Sequence, residues 1–149
     1  MYKAAVRWMI RRNIAKLNAG DHRPALAMYA DDAVFSFPGQ NSWAEQFHPL
    51  ARGRRYHPTH RGKDEIAQFM QRFTGAELRL EIEDILVNGP PWNTRSAVVA
   101  NVWSPGDGGD RYTNRAVLYV TARWGKLRTH EDFEDTEAVA AFDRLLTDS

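Results

Sequence analysis

Residues 78–134 decide the fold, and they read LRLEIEDILVNGPPWNTRSAVVANVWSPGDGGDRYTNRAVLYVTARWGKLRTHEDFE. Runs rich in β-branched and aromatic residues alternate here with groups of Asn, Gly, Pro and Asp that are typical of turns. The pattern predicts strands over 94–104, 112–124 and 127–134. Short turns at 88–91, 105–110 and 125–126 join neighbouring runs, so the segment is predicted to form an antiparallel meander.

The first strand of this meander changes its inward face partway along. Leu78, Leu80 and Ile82 share one parity, whereas Ile85 and Val87 take the other. Successive side chains of a strand point to opposite faces, so a switch of parity indicates one extra residue. We therefore predict a bulge near residues 83–84 that bends the sheet sharply.

Two helices are predicted before the sheet. Apolar residues recur at helical spacing over 5–17, and Gly20 is suited to a left-handed end of that helix. Asp21 can cap a second helix, whose first turn tolerates Pro24. We expect the buried face of this second helix to include Leu26, Tyr29 and Ala30.

The rest of the chain divides into a strand, a long connection and two more helices. A strand is predicted over 33–37, ended by Pro38 and Gly39. Residues 38–61 show no sustained period, and connections of this length are commonly lids or binding loops, so we expect a partly ordered flap. Helices follow at 63–73 and after Asp135, which is placed to cap the last one.

Composition limits the class of protein. The 149 residues suit one domain, 1–149, and the net charge of +1 does not favour nucleic-acid binding. The sequence contains no cysteine, which excludes thiolate nucleophiles and disulfides. The charged N-terminal stretch reads as a domain helix, and no uncharged run approaches the roughly 20 residues that cross a bilayer. We expect a soluble, cytoplasmic protein.

Three short stretches carry a resemblance to a known family. They are Leu17–Asp21 between the first helices, Tyr29–Val34 entering the first strand, and Trp124–Leu127 with Asp132–Asp135 at the end of the sheet. In order and spacing, the chain resembles the SnoaL-like branch of the nuclear-transport-factor-2-like superfamily from about residue 11 to residue 142. The resemblance implies an α+β fold: a cone-shaped curved antiparallel sheet packed against N-terminal helices, with a pocket between them.

The same resemblance implies partners and activities. Members are commonly homodimers through the outer sheet face, and they include ketosteroid isomerases, polyketide cyclases, epoxide hydrolases and non-catalytic binders. The fold alone therefore does not fix the function. We expect a small apolar molecule as ligand, with no cofactor and no metal, and neither a nucleic acid nor a membrane as partner.

Residue by residue, the match to characterised members is incomplete. The base of the ketosteroid isomerases falls at Phe37, and their oxyanion-hole tyrosine falls at Asn13. The three polar groups of the epoxide hydrolases match Val99, Asn101 and Asp132. The resemblance therefore implies that only the last-strand carboxylate, Asp132, is kept.

His130 and Asp132 are the candidate catalytic residues. They share parity on the last strand, so their side chains leave one face about 6–7 Å apart at the backbone. The resemblance places that face in the pocket, where apolar walls disfavour the charged form of a carboxylic acid and a neighbouring imidazole can share its proton. The alternative is an ordinary solvated stripe formed by Arg128, His130, Asp132 and Glu134.

Six further residues are candidate substrate contacts. Asn101 could supply a hydrogen bond and Trp103 a ring surface, although an aromatic residue in a small domain is more often simply core. The remaining four are aromatic residues spread over the predicted second helix, first strand, flap and third meander strand: Tyr29, Phe37, Trp43 and Tyr119. Arg115, on the predicted strand over 112–124, is expected to pair with Glu81 or Glu83 on an exposed sheet face.

Two charged groups of the flap have simpler explanations than ligand binding. His48, His57 and His60 could contact a metal, but no carboxylate lies at a fixed offset from them. Arg52, Arg54, Arg55 and Arg61 could meet an anion, although a solvated loop is the simpler account.

These observations predict a cofactor-independent enzyme of the isomerase, cyclase or hydrolase type, acting on an apolar ring-containing molecule. Asp132 would be its acid and base, helped by His130. The alternative is a non-catalytic ligand-binding or dimerisation module of the same fold.

Overall fold

A computed structural model describes residues 1–51 and 56–148. The helices are α1 (Tyr2–Asn18), α2 (Arg23–Ala27), α3 (Gly62–Gly75) and α4 (Thr136–Thr147). The strands are β1 (Tyr29–Ser36), β2 (His60–Arg61), β3 (Arg79–Asn88), β4 (Thr94–Gly106), β5 (Gly109–Arg123) and β6 (Lys126–Glu134). Within these described ranges, no helix combines the length and apolar character that a bilayer crossing requires.

The six strands form one curved sheet in the order β2-β1-β6-β5-β4-β3. Strands β3 to β6 make the predicted antiparallel meander, which confirms the α+β fold. Strand β1 adds to it in parallel with β6, and Phe35 is the partner of His130. This parallel pairing brings the first strand beside the two candidate catalytic residues.

The predicted bulge lies in β3. Ile82 pairs with Ala100 and Asp84 pairs with Val99, so Glu83 is the additional residue. Leu80 before the bulge and Ile85 after it are both buried, which confirms the switch of inward face. The extra residue increases the local bend of the sheet.

The chain leaves the second helix earlier than predicted. Gly20 has a φ of +87°, as expected for the end of α1, and Asp21 accepts a hydrogen bond from the Arg23 backbone N–H at 3.2 Å. However, α2 ends at Ala27, and the placement of Tyr29 and Ala30 on that helix was wrong. Both residues belong to β1, because the backbone here pairs with β6 and the Leu127 N–H donates to the Met28 carbonyl at 2.7 Å.

Part of the predicted flap is core. Trp43 and Ala44 are buried, and the Asn41 amide spans the turn, accepting from Ala44 N–H at 3.0 Å and donating to the Pro38 carbonyl at 2.9 Å. Ser42 anchors the segment to α4 through the Asp143 carboxylate, its backbone N–H donating at 2.7 Å. The expected contacts of Arg52, Arg54 and Arg55 lie outside the described residues.

Candidate active site

A cavity of about 190 Å³ lies between the helices and the inner face of the sheet. Its helical walls come from all four helices and are almost entirely apolar. The sheet contributes alternate residues, among them Thr94, Ser96, Val98 and Val102 of β4, and Ala116, Leu118 and Val120 of β5. The bend at the β3 bulge helps the sheet to curve around this space.

Register decides which of the predicted contacts reach the cavity. Asn101, Trp103 and Tyr119 have the opposite parity to the lining residues of β4 and β5, so they lie on the outer face. There the Asn101 amide donates to Glu83 Oε1 at 2.9 Å, and the Arg79 guanidinium lies 5.1 Å from the Trp103 ring centroid. The expected placement of these three residues in the pocket was wrong.

The same parity affects the comparison with the epoxide hydrolases. Val99 and Asn101, the positions that match their strand pair, both leave the outer face, while Val98 and Val102 line the cavity. A shift of one residue exchanges the two faces of a strand. The strand pair of the epoxide hydrolases is therefore missing here on two counts: the residue types differ, and the matching positions do not face the cavity.

The other three aromatic candidates do line the cavity. Tyr29, Phe37 and Trp43 are all buried in its wall. The rings of Phe37 and Trp43 pack on Phe69 of α3, with centroid distances of 5.4 and 5.8 Å.

Both candidate catalytic residues project into the cavity, and a third residue completes a chain of hydrogen bonds. His130 Nδ1 lies 2.7 Å from the Tyr29 hydroxyl, and His130 Nε2 lies 2.6 Å from Asp132 Oδ1. The side chains of His130 and Asp132 are 10% and 11% exposed, so these contacts are largely shielded from water. The Phe35 ring meets the imidazole edge to face at 4.4 Å.

The direction of these hydrogen bonds follows from the buried phenol. Burial, and then the negative charge of Asp132, raise the pKa of Tyr29 well above its usual range, so the phenol keeps its proton. Tyr29 therefore donates to Nδ1, which leaves the imidazole proton on Nε2 to donate to Asp132. Among the described residues no hydrogen bond reaches Asp132 Oδ2, so this oxygen is available to a ligand.

A second polar group extends the same wall. Glu134 lines the cavity two residues beyond Asp132, and its Oε2 accepts from the Tyr112 hydroxyl at 3.3 Å and from Asn114 Nδ2 at 3.2 Å. Burial, and then the charge of Asp132, raise the pKa of Glu134 to about 8, while the hydrogen bond from Tyr112 acts in the opposite direction. The sequence offered one signal for this group, the shared parity of His130, Asp132 and Glu134.

Asn13 is a further cavity residue that the sequence did not single out as functional. It lies on α1, is 9% exposed and lines the cavity. Its side chain makes no hydrogen bond with a residue of the described ranges. An amide held without a partner among apolar side chains is costly, so it is available to bind a polar group of a ligand.

Two of the three flap histidines, His48 and His60, make contacts away from the cavity. His48 Nε2 lies 2.8 Å from Glu65, and His60 Nδ1 lies 2.8 Å from the Thr59 hydroxyl. Burial lowers the pKa of His60 to about 4, so its imidazole is neutral over most of the pH range. Within the described residues, no three His, Asp or Glu side chains are grouped to hold a metal ion.

The fold and this cavity define an α+β cone, in which a curved sheet and the helices enclose an apolar cavity. The chain belongs to the family of SnoaL-like domains, whose model matches residues 10–130. None of the curated proteins matches the chain in sequence.

Solved structures show the same fold at low identity. Bal32a, from a soil-derived mobile gene cassette, is 15% identical over 93% of this chain and 95% of its own, with a TM-score of 0.69. An NTF2-like protein of unknown function from Burkholderia pseudomallei is 20% identical, with coverages of 92% and 95% and a TM-score of 0.67. A proposed polyketide cyclase from Pseudomonas putida is 19% identical, with coverages of 89% and 93% and a TM-score of 0.57.

Proposed function

We propose that this protein is a cofactor-independent enzyme that moves a proton on a small, apolar, ring-containing molecule. The observation that carries the proposal is the chain from Tyr29 through His130 to Asp132 inside an otherwise apolar cavity. A buried carboxylate beside an imidazole, both facing a cavity, is a candidate functional site. The wider reaction class is isomerisation, cyclisation or hydrolysis.

Asp132 is the proposed acid and base. Its Oδ1 is held by the imidazole N–H, so the carboxylate has one orientation, and Oδ2 is free to take a proton from the substrate and return it. His130 and Tyr29 act as positioning residues, because their hydrogen bonds fix the imidazole tautomer and its ring plane. The apolar walls exclude water, which strengthens the electrostatic interactions within the cavity.

The size of the cavity limits the ligand. An apolar cavity of about 150 Å³ in another protein accepts benzene. At about 190 Å³, this cavity suits one substituted ring. A multi-ring polyketide does not fit without movement of the walls.

A non-catalytic binding protein is the second candidate, because the cavity is smaller than most ligand pockets. Pockets that hold drug-sized ligands usually measure about 300–1,000 Å³. A binder of this fold would retain a small molecule without converting it. The two candidates therefore differ in turnover rather than in occupancy.

The test combines identification of the ligand with a reaction of a defined probe. Native mass spectrometry of freshly purified protein reports any retained molecule. Acetophenone, a single-ring ketone, is then incubated with the protein in D₂O, and exchange of its methyl hydrogens is followed by NMR. We expect Asp132→Asn to slow exchange by about 10²–10⁴-fold, as for loss of a general base, and His130→Ala by about tenfold or more.

The matched control is Glu131→Gln, on the same strand but with its side chain on the outer face. It should exchange acetophenone at the wild-type rate. Retained ligand with no exchange above buffer would favour the binding protein. Equal rates for wild type and both inner-face variants would refute the assigned roles of Asp132 and His130.

We also propose, from the family resemblance, a homodimer formed through the outer sheet face and a cytoplasmic location. Phe133 supports the first part, because it is 52% exposed beside its strand partner Val117. Phe133→Glu should then convert a dimer to a monomer in light scattering after gel filtration. A monomeric wild type would contradict the dimer.

A further inference from the structure

His130, Asp132 and Glu134 form a polar strip along β6 in the cavity wall, and Glu134 lies at the opposite end of it from His130. Because it is two residues from Asp132 on one strand, the two carboxyl groups start about 6–7 Å apart at their backbones. This spacing places the two carboxyl groups side by side on one wall of the cavity. The Glu134 side chain is held by β5, where Tyr112 and Asn114 both contact its Oε2.

The two contacts determine which oxygen carries a proton. Burial raises the pKa of the Tyr112 phenol, so Tyr112 keeps its proton and donates the hydrogen bond. Asn114 Nδ2 is also a donor. Oε2 thus accepts twice and has the role of a carbonyl oxygen, so the proton of the neutral acid belongs on Oε1. No hydrogen bond from a described residue reaches Oε1.

Asn114 is itself fixed, which makes this arrangement rigid. Its Nδ2 also lies 3.0 Å from the Asp135 carbonyl and 2.9 Å from the Tyr112 hydroxyl, and its Oδ1 accepts from the Arg115 backbone N–H at 2.8 Å. The Tyr112 ring stacks on Phe142 of α4 with centroids 4.4 Å apart. A group whose supports are packed and hydrogen-bonded is suited to orient a ligand.

We propose that Glu134 is a second catalytic residue, a neutral carboxylic acid whose Oε1–H binds and protonates the oxygen of an uncharged carbonyl substrate. The inference rests on the proposed function, because it requires that Asp132 meets the same molecule in the cavity. It adds to the proposed function the group that binds the substrate oxygen, and it adds that the substrate is uncharged.

The proton transfers balance between the two carboxyl groups. Asp132 Oδ2 takes a proton from the carbon beside the carbonyl, the C–H electron pair forms a C=C bond, and the carbonyl π electrons move to oxygen. Glu134 Oε1 gives its proton to that oxygen, which yields a neutral enol. Asp132 is then protonated and Glu134 is a carboxylate, so the total charge of the pair is unchanged. The reverse transfers return both groups.

The walls indicate that the substrate is uncharged. Among the described residues that line the cavity, none is Lys or Arg. A carboxylate or phosphate ligand would lie next to ionised Asp132 with no cation to offset the repulsion. We therefore expect benzoate to bind at least about tenfold more weakly than acetophenone.

The test reads the carbonyl directly and does not need turnover. Infrared difference spectra of bound ¹³C=O acetophenone report a hydrogen bond to the ketone oxygen as a shift to lower frequency. Wild type should show this shift, and Glu134→Leu should return the band to its position in an apolar solvent. In the exchange reaction, Glu134→Leu should be slower by about 10²-fold, as for loss of one oxyanion donor. Glu131→Gln should match wild type in both measurements.

Titration provides a second measurement if Glu134→Leu does not fold. The shifted band of wild type should disappear as the pH rises through about 8, the pKa of Glu134, and Glu134→Gln should keep its band at every pH because an amide donor does not titrate. An unshifted band in wild type, or a shift that Glu134→Leu or high pH leaves unchanged, overturns the assignment. Absence of exchange together with an intact, Glu134-dependent shift instead counts only against the proton-transfer role of Asp132.

Discussion

The inner and outer faces of the sheet carry similar polar side chains in different surroundings. On the inner face, His130, Asp132 and Glu134 stand among apolar residues, and the His130–Asp132 contact is about one-tenth exposed. On the outer face, Glu83 contacts Arg115 at 2.6 Å with side chains 38% and 69% exposed. The sheet thus shields its polar side chains from water on one face and leaves them in exposed contacts on the other.

This difference shows that residue type alone does not identify a site. Asn101 is as polar as Asn13, yet the Asn101 amide donates to Glu83, while the Asn13 side chain in the cavity wall has no hydrogen-bond partner in residues 1–51 and 56–148. For a strand residue such as Asn101 the register decides which face it takes, and the register is fixed by which residues of the strand pack on the helices. The two faces can be compared by making the same substitution on each.

The largest expected effect is loss of stability on removing an inner aromatic ring. Phe35 is 2% exposed, with Phe69 and His130 against its ring. Phe35→Ala should lower the free energy of unfolding by about 3–5 kcal/mol, because it deletes buried surface and leaves a cavity. Trp103→Ala on the outer face, where the ring is partly buried against Arg79, should cost less, about 1–2 kcal/mol, the scale of a cation–π contact. Urea unfolding of both variants checks the contrast, and similar losses would contradict it.

The next effect compares two tyrosines that sequence reasoning treated alike. Tyr29→Phe removes the donor to His130 Nδ1 and leaves a buried acceptor unpaired, so it should cost about 1–3 kcal/mol. Tyr119→Phe should change stability by less than about 0.5 kcal/mol, since its hydroxyl makes no hydrogen bond with a described residue. Urea unfolding at pH 7 measures both. A Tyr119 variant as costly as the Tyr29 variant would contradict the assignment of faces.

Much of this fold could be predicted from residue pattern. The bulge was visible as a change of parity between Ile82 and Ile85, and the cap of α4 as Asp135, whose carboxylate accepts from Glu137 N–H at 3.0 Å. These features are local, so a short stretch of sequence specifies them. The start of β1 was not predicted correctly, because Tyr29 becomes a strand residue through pairing with β6, about one hundred residues away in sequence.

The site was predictable only in part for the same reason. His130 and Asp132 share a strand, and their common face follows from spacing. Tyr29 joins them only through the parallel pairing of β1 with β6, which no local pattern indicates. Asn101 and Trp103 were assigned to the pocket because β4 is apolar at both parities, with Val98 facing in and Val99 facing out, so its sequence does not show which face is inner.

A smaller effect concerns pH and the inner carboxyl group Glu134. Its folded pKa is about 8, above the value near 4.5 of an unperturbed glutamate, so the folded state binds more protons than the unfolded state between these values. Stability contributed by the neutral acid is present at low pH and is lost as the pH rises toward 8. Glu134→Gln, which does not ionise, should therefore gain thermal stability over wild type at pH 8.5 but not at pH 4.5.

Differential scanning calorimetry at the two pH values measures this difference. Each kcal/mol should appear as a gap of about 2–4 °C between the melting temperatures of wild type and Glu134→Gln. Glu131→Gln, on the outer face, should show the same gap at both pH values. A Glu134 variant that tracks wild type across the range would show that this carboxyl ionises freely.

The smallest effect is expected at the outer carboxylate. Glu83→Gln removes the charge that pairs with Arg115 but keeps an oxygen for Asn101. Exposed ion pairs contribute about 0.2–1 kcal/mol, and about 1 M salt shortens the screening length to about 3 Å. Urea unfolding should show a loss within that range at low salt that nearly disappears at 1 M salt. A larger, salt-independent loss would mean that this part of the outer face is shielded from water, as it would be beneath a second copy of the chain. The contrast between the two faces would then hold for the isolated chain alone.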